Sequence, residues 1–189
     1  MHDHWKPYFS YDHCLHALCN EHHLRELKFP HEEQHEDWAR QMSDFLLRCL
    51  QRRKDYGVLN QRQFKKVHAE YRAILRQGRR RHPRRTGRVA QSKAANLLDR
   101  LEDFDLNVPA FMVFAEVPFT NNVAERDIRM EKTRQKISGC FRTLHGARVF
   151  ARIRSSISTC RKQGQNILDT LQGAVAGQPF MPSAPTKGP

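Results

Sequence analysis

Four stretches of this chain carry apolar residues at the three-and-four spacing of a helix, and almost none carry the alternation of a strand. Trp38, Met42, Phe45, Leu46, Cys49 and Leu50 form the first stripe, with Arg and Gln between them. Phe64, Val67, Tyr71, Ile74 and Leu75 form a second, expected to end at Gly78. Ala94, Leu97, Leu98, Leu101 and Phe104 form a third. Phe150, Ile153, Ile157 and Cys160 form a fourth, closed by Gly164. A one-sided apolar stripe is stable only against another such face, so these helices are expected to pack together. Cys14 to Leu18 is the best candidate for a short buried strand, though it is poor in β-branched residues. The fold class is therefore mainly α, with at most one or two short strands. The segment from Gly177 onward is rich in Pro, Gly, Ser and Ala and is expected to be disordered. No internal repeat is visible.

Charge narrows the function. Thirty-three Lys and Arg against 20 Asp and Glu leave a net charge of +13, a balance that suits a polyanionic partner, most simply nucleic acid. Seven arginines and a histidine lie between Arg76 and Arg88, with Pro83 and Gly87 interrupting any helix. That reads as a loop that neutralises phosphates, each contact steepening the dependence of log K on log salt by about 0.9. The five cysteines are odd in number and scattered, which is no disulfide framework and suits a reducing cytosol. The first 30 residues contain no apolar signal core, and the run Val108 to Ala115 is far too short to span a bilayer. The expected setting is cytoplasmic and nucleoid-associated, with no membrane partner.

Three short constellations bear on chemistry. In Thr120-Asn121-Asn122-Val123-Ala124-Glu125, the residues after Pro118 signal a helix start. Asn122 and Glu125 have the spacing of a capping box. The same spacing also sets Glu125 at the head of a basic stripe, with Arg129, Lys132 and Lys136 at similar angular positions on later turns. A carboxylate so placed suits a divalent cation held beside a phosphodiester. At the start of the chain, Asp3 stands between His2 and His4, before Trp5, Pro7 and Tyr8. An acidic residue there would suit the end of a strand opening on a cleft. Cys14, His16, Cys19, His22 and His23 invite a zinc reading, but no second ligand pair follows at finger spacing. Buried cysteines and surface histidines explain that cluster as well.

Taken together and in order, several segments resemble one family. They are His2-Asp3-His4-Trp5 with Tyr8; Leu18-Cys19-Asn20-Glu21-His22-His23-Leu24-Arg25-Glu26-Leu27; Ala94 to Leu101; Val117 to Asn122 with Ala124 to Arg129; and the run Arg134 to Arg142. Gly146-Ala147, Phe150 to Ser155 and Arg161 to Gly164 follow. The chain resembles the C-terminal half of the IS-sixty-six family of bacterial insertion-sequence transposases. The resemblance implies a C-terminal remnant of an α/β ribonuclease-H-like catalytic domain of DDE type, spanning 1–145 with a helical insertion over about 31–105. C-terminal helices over 146–176 and a tail over 177–189 would complete it.

By that resemblance Asp3 matches the family's second catalytic aspartate and Glu125 its glutamate, both ligands of Mg²⁺ (or Mn²⁺). Arg126, Arg129, Lys132, Arg134, Lys136 and Arg142 are expected to contact phosphates of double-stranded DNA at transposon ends. His22 and Arg25 lie in a matching segment without an assigned role. The family's first aspartate would lie upstream of Met1. The chain alone is accordingly expected to bind metal weakly and to be inactive. The rival expectation is a non-catalytic DNA-binding or regulatory product that occupies transposon ends or joins an intact transposase chain. It would need the cations but neither carboxylate.

Overall fold

A computed structural model describes residues 1–84 and 90–182. The chain divides into two units, Met1–Asn121 and Asn122–Pro189.

In the first unit, four helices follow the apolar stripes. They are α1 (Asn20–Glu32), α2 (Asp37–Tyr56), α3 (Gln61–Arg81) and α4 (Lys93–Asp103). Each packs on the next, and α4 returns to α1, so the four close into a bundle. The stripe on α2 is buried through Trp38, Met42, Phe45, Leu46 and Cys49; those on α3 and α4 through Tyr71, Ile74, Leu75, Leu97, Leu98 and Leu101. Helix boundaries follow local chemistry. Asn60 and Gln63 form a reciprocal capping box at the start of α3, and the Ser92 hydroxyl accepts from Ala95 N–H at the start of α4. The short 3-10 segment Pro109–Met112 plugs one part of the bundle with Phe111 and Met112. Arg53 of α2 holds it by donating from Nε to the Phe111 carbonyl at 3.1 Å.

Two expectations are corrected here. Gly78 does not end α3; the helix runs on to Arg81. A Cβ at position 78 would stand 2.8 Å from Trp38 Cγ and 2.9 Å from Leu98 Cδ2, so glycine is there to let three helices approach. And no strand forms at Cys14–Leu18, nor anywhere among the described residues. A single parallel bridge joins His2 to Leu18, through His2 N–H to the Ala17 carbonyl (3.1 Å) and Cys19 N–H to the His2 carbonyl (3.0 Å). Leu18 N–H then donates to Asn107, so the backbone there is satisfied without a sheet.

The arginine run also differs from its reading as a loop. Through Arg81 it is helix, and several of its charges are spent internally. Arg79 clamps Glu102 with two hydrogen bonds (3.1 and 2.7 Å) and reaches Asp99 at 2.7 Å. Arg84 pairs with Asp103 at 2.6 Å, and Arg81 lies 3.6 Å from Glu36. Arg76 and Arg80 stay exposed. Arg85, Gly87 and Arg88 lie outside the described residues.

The second unit contains α5 (Asn122–Ser138), α6 (Leu144–Lys162) and α7 (Ile167–Val175). The α5–α6 turn carries Gly139 at φ +71°, and Gly164 at φ +67° closes α6 as its sequence position suggested. Across the α5–α6 contact, the Ser158 hydroxyl and Lys162 Nζ both donate to the Asp127 carboxylate at 2.5 Å. The Arg134 guanidinium lies over the rings of Phe141 and Phe150, at 4.5 and 5.1 Å. Of the fourth stripe only Cys160 is buried; Ile153 remains half exposed. No helix of the described residues is long and apolar enough to cross a membrane.

Candidate metal and DNA-contact residues

The bridge at His2 fixes the chain on which Asp3 sits. In extended backbone, successive side chains leave on opposite sides. His2 and His4 turn toward an aromatic cluster: His2 meets Phe9 edge-on at 4.8 Å, His4 meets Phe104 edge-on at 4.5 Å, and Phe9 lies 4.6 Å from Phe104. Asp3 is half-buried and accepts one hydrogen bond, from Trp5 N–H to Oδ1 at 3.1 Å. Among the described residues it has no cationic side chain as partner. A hard oxygen donor with spare lone pairs and no competing cation is chemically suited to a divalent metal.

The histidines beside it are kept neutral. Burial, then the nearby Arg100 and His2, push the His4 imidazole down to about 4, and both its ring nitrogens are enclosed without a hydrogen bond. His23, behind it on α1, is pushed down to about 3 by burial and then by His4 and Arg100. Its Nδ1 lies 3.4 Å from the Asn20 amide oxygen.

The zinc reading of this region gains nothing. Cys14 is exposed, with its thiol 3.4 Å from the Tyr11 carbonyl and 3.9 Å from His16 Nε2. Cys19 is buried and its sulfur accepts from Asn121 N–H. No group of three or more His, Cys, Asp or Glu able to hold a metal ion occurs among the described residues.

In the second unit, α5 begins at Asn122 as its sequence suggests, with Glu125 half-buried in the first turn. At 100° per residue, Glu125, Arg129, Lys132 and Lys136 fall within roughly 60° of arc. A carboxylate thus heads a row of three exposed cations along one face. Arg126 lies a quarter turn away, exposed on the side that meets α6. Arg134, also exposed, is on the far side and is pinned by the two phenylalanines. Arg142 is exposed in the turn before α6. Asp3 belongs to the first unit and Glu125 to the second, and each is placed within its own unit.

Charge is distributed unevenly between the units. From residue 122 onward there are twelve Lys and Arg against four Asp and Glu, a net +8 of the chain's +13 in little more than a third of its length. The larger unit, by contrast, spends many of its arginines on its own carboxylates. Sequence reasoning missed Arg154, Arg161 and Lys162 of α6, which line a groove against α5 with Arg126. The signal lies in the spacing: 154, 158 and 161 share a helical face, adjacent to the apolar stripe of α6.

The sequence model described as "Transposase IS66 family" matches residues 1–149. The chain belongs to that family. The match takes in Asp3, Glu125 and the six cations from Arg126 to Arg142 and stops short of Arg154, Arg161 and Lys162. No curated protein and no solved structure matched the chain. Membership makes this a transposase-related protein, with DNA as the partner of the family in general.

Proposed function

We propose that the chain is part of a DDE-type transposase active region that grips double-stranded DNA of transposon ends through α5 and supplies two of the metal-binding carboxylates, Asp3 and Glu125. The observation that carries this reading is the exposed cationic face of α5, headed by Glu125, in a unit with net charge +8. Arg129, Lys132, Lys136 and Arg142 bind the phosphate backbone and set the register of the duplex, as phosphate contacts do, without reading bases. Arg134, on the opposite side of α5, stiffens the α5–α6 turn by stacking on Phe141 and Phe150. By the resemblance, Asp3 and Glu125 are each metal-ligand positions, and Mg²⁺ held by such carboxylates would supply Lewis-acid stabilisation of charge on the phosphodiester oxygens.

The resemblance calls for three carboxylates, and two positions of this chain match them. Alone it therefore binds divalent metal weakly and turns over nothing, since members of a catalytic group act as a unit. The test pairs duplex binding between 50 and 200 mM salt with plasmid nicking in Mg²⁺ or Mn²⁺. Expected are salt-dependent binding, no nicking, and little change in affinity in Glu125→Gln. Nicking that Glu125→Gln abolishes would show that the chain carries a complete site. Absence of salt-dependent binding would overturn the reading. A purely regulatory DNA-binding product shares the cationic face; indifference of Mn²⁺ affinity to Asp3→Asn and Glu125→Gln would select it.

A further inference from the structure

Within the second unit, a groove of about 190 Å³ lies between α5 and α6. It has room for roughly six water molecules, enough for a phosphate group. Its walls carry Arg126 from α5 and Arg154, Arg161 and Lys162 from α6, with Ser158 and Asp127 between them. Lys162 and Ser158 are engaged with Asp127, and their hydrogen bonds hold that carboxyl below its usual range. The Asp127–Lys162 pair cancels itself. Arg126, Arg154 and Arg161 are left, and none has an ion pair among the described residues. Arg154 Nε is enclosed yet makes no hydrogen bond. A buried donor without an acceptor is rare, and three unpaired guanidiniums on one groove repel one another. One tetrahedral oxyanion answers both conditions, since guanidinium forks match phosphate oxygens.

We propose that this groove is a phosphate subsite occupied by one backbone phosphate of duplex DNA, a contact separate from the row Arg129, Lys132 and Lys136. The assignment rests on the DNA-binding reading above. The groove faces away from that row by roughly a quarter turn of α5 or more, so the duplex is gripped at two places on the unit. Arg154, Ser158 and Arg161 repeat at i, i+4 and i+7 on α6, which lines them along one wall while Arg126 forms the other.

The test uses the full chain and compares wild type with Arg161→Gln, Arg154→Gln, the double variant, and Lys132→Gln/Lys136→Gln. Affinity for a duplex is followed from 50 to 200 mM salt. One phosphate in one groove predicts that each single variant and the double all lose about 0.9 from the slope of log K against log salt. Over that fourfold salt range, the fall in affinity shrinks about 3.5-fold. The lysine pair loses about 1.8, and adding Arg161→Gln to it removes a further 0.9 or so. Arg161 is exposed, so its variant retains the wild-type melting temperature and carries the test even if Arg154→Gln misfolds.

Unchanged slopes in the groove variants, with wild type still binding, overturn the subsite and spare the DNA reading. Failure of wild type to bind DNA overturns both. Inorganic phosphate, added alone, supplies the second arm. Thermal stabilisation by phosphate that is lost in Arg161→Gln, with DNA slopes unaltered, would assign the groove to free phosphate and refute the duplex contact.

Discussion

Replacing Gly78 with alanine pits two known effects against each other at one atom. In a helix interior alanine is favoured over glycine by about 1 kcal/mol. The new Cβ, however, would lie 2.8 Å from Trp38 Cγ and 2.9 Å from both Trp38 Cδ2 and Leu98 Cδ2. Carbon atoms pack best at about 3.5–4.0 Å, so the overlap is about 0.6 Å or more at three contacts. Neither neighbour can swing clear: Trp38 is 1% exposed and Leu98 0%, each enclosed by other core side chains. Overpacking of a well-filled core costs about 1–3 kcal/mol, and a rigid indole on one side argues for the upper end. The net is a loss of about 2 kcal/mol. For a unit of this size that lowers the midpoint of thermal unfolding by about 8 °C. The assay is thermal unfolding followed by Trp38 fluorescence in a Trp5→Phe background, so that the core indole alone reports. An unchanged or raised midpoint would refute the reasoning, since it would mean that the indole yields and that close approach is not why glycine stands there.

Two further outcomes follow from the first unit. The buried Tyr71 hydroxyl donates to the Leu101 carbonyl at 2.8 Å, in the last turn of α4 where carbonyls lack helical partners. Tyr71→Phe should therefore cost about 1–2 kcal/mol in a denaturant melt at pH 7, and no loss would place the orphan carbonyl in contact with water. His23 is held neutral down to about pH 3 in the fold but takes a proton near 6.5 when unfolded. The unfolded chain binds more protons between those values, so stability is full above about pH 6.5 and falls as pH drops. At pH 5 the loss from this one group is about 2 kcal/mol. His4, pushed down to about 4, adds to the same fall, so His23→Leu should remove about half of it between pH 7 and 5; an equally steep fall in that variant would assign the acid sensitivity elsewhere.

The bundle was legible because α2, α3 and α4 each present one apolar face over several turns, and no other structure satisfies that period. What escaped was decided across helices rather than along them. Gly78 looks like a stop signal locally, yet the constraint on it comes from Trp38 and Leu98. α1 has no comparable stripe: it buries Asn20, His23 and Pro30 alongside Leu27, and only the core built by its neighbours makes that face usable. The segment ending at Leu18 carries a weak β signal, poor in β-branched residues, and it finds one bridging partner at His2 and no ladder. The arginine run shows the same limit for charge. Sequence counts Arg79, Arg81 and Arg84 as cations, but not that Asp99, Glu102, Asp103 and Glu36 already hold them. On α5 the opposite holds. Its cations are spaced by the helix itself, so the row from Glu125 to Lys136 could be drawn before any fold was known.

That helix has one more property: none of its seventeen residues is buried within its own unit. Side chains held by packing resist changes of size, because a single methylene is felt in a filled core. Exposed charged side chains such as Arg129, Lys132 and Lys136 are indifferent to size but not to sign. The two units should thus drift by different rules as copies of such a gene diverge. In the first, substitutions that keep volume survive and those that alter it are lost through instability. Along the row Arg129, Lys132 and Lys136, Lys and Arg can exchange with little consequence for folding, while on the reading proposed above a single change to Asp or Glu leaves a well-folded protein that holds the duplex less tightly.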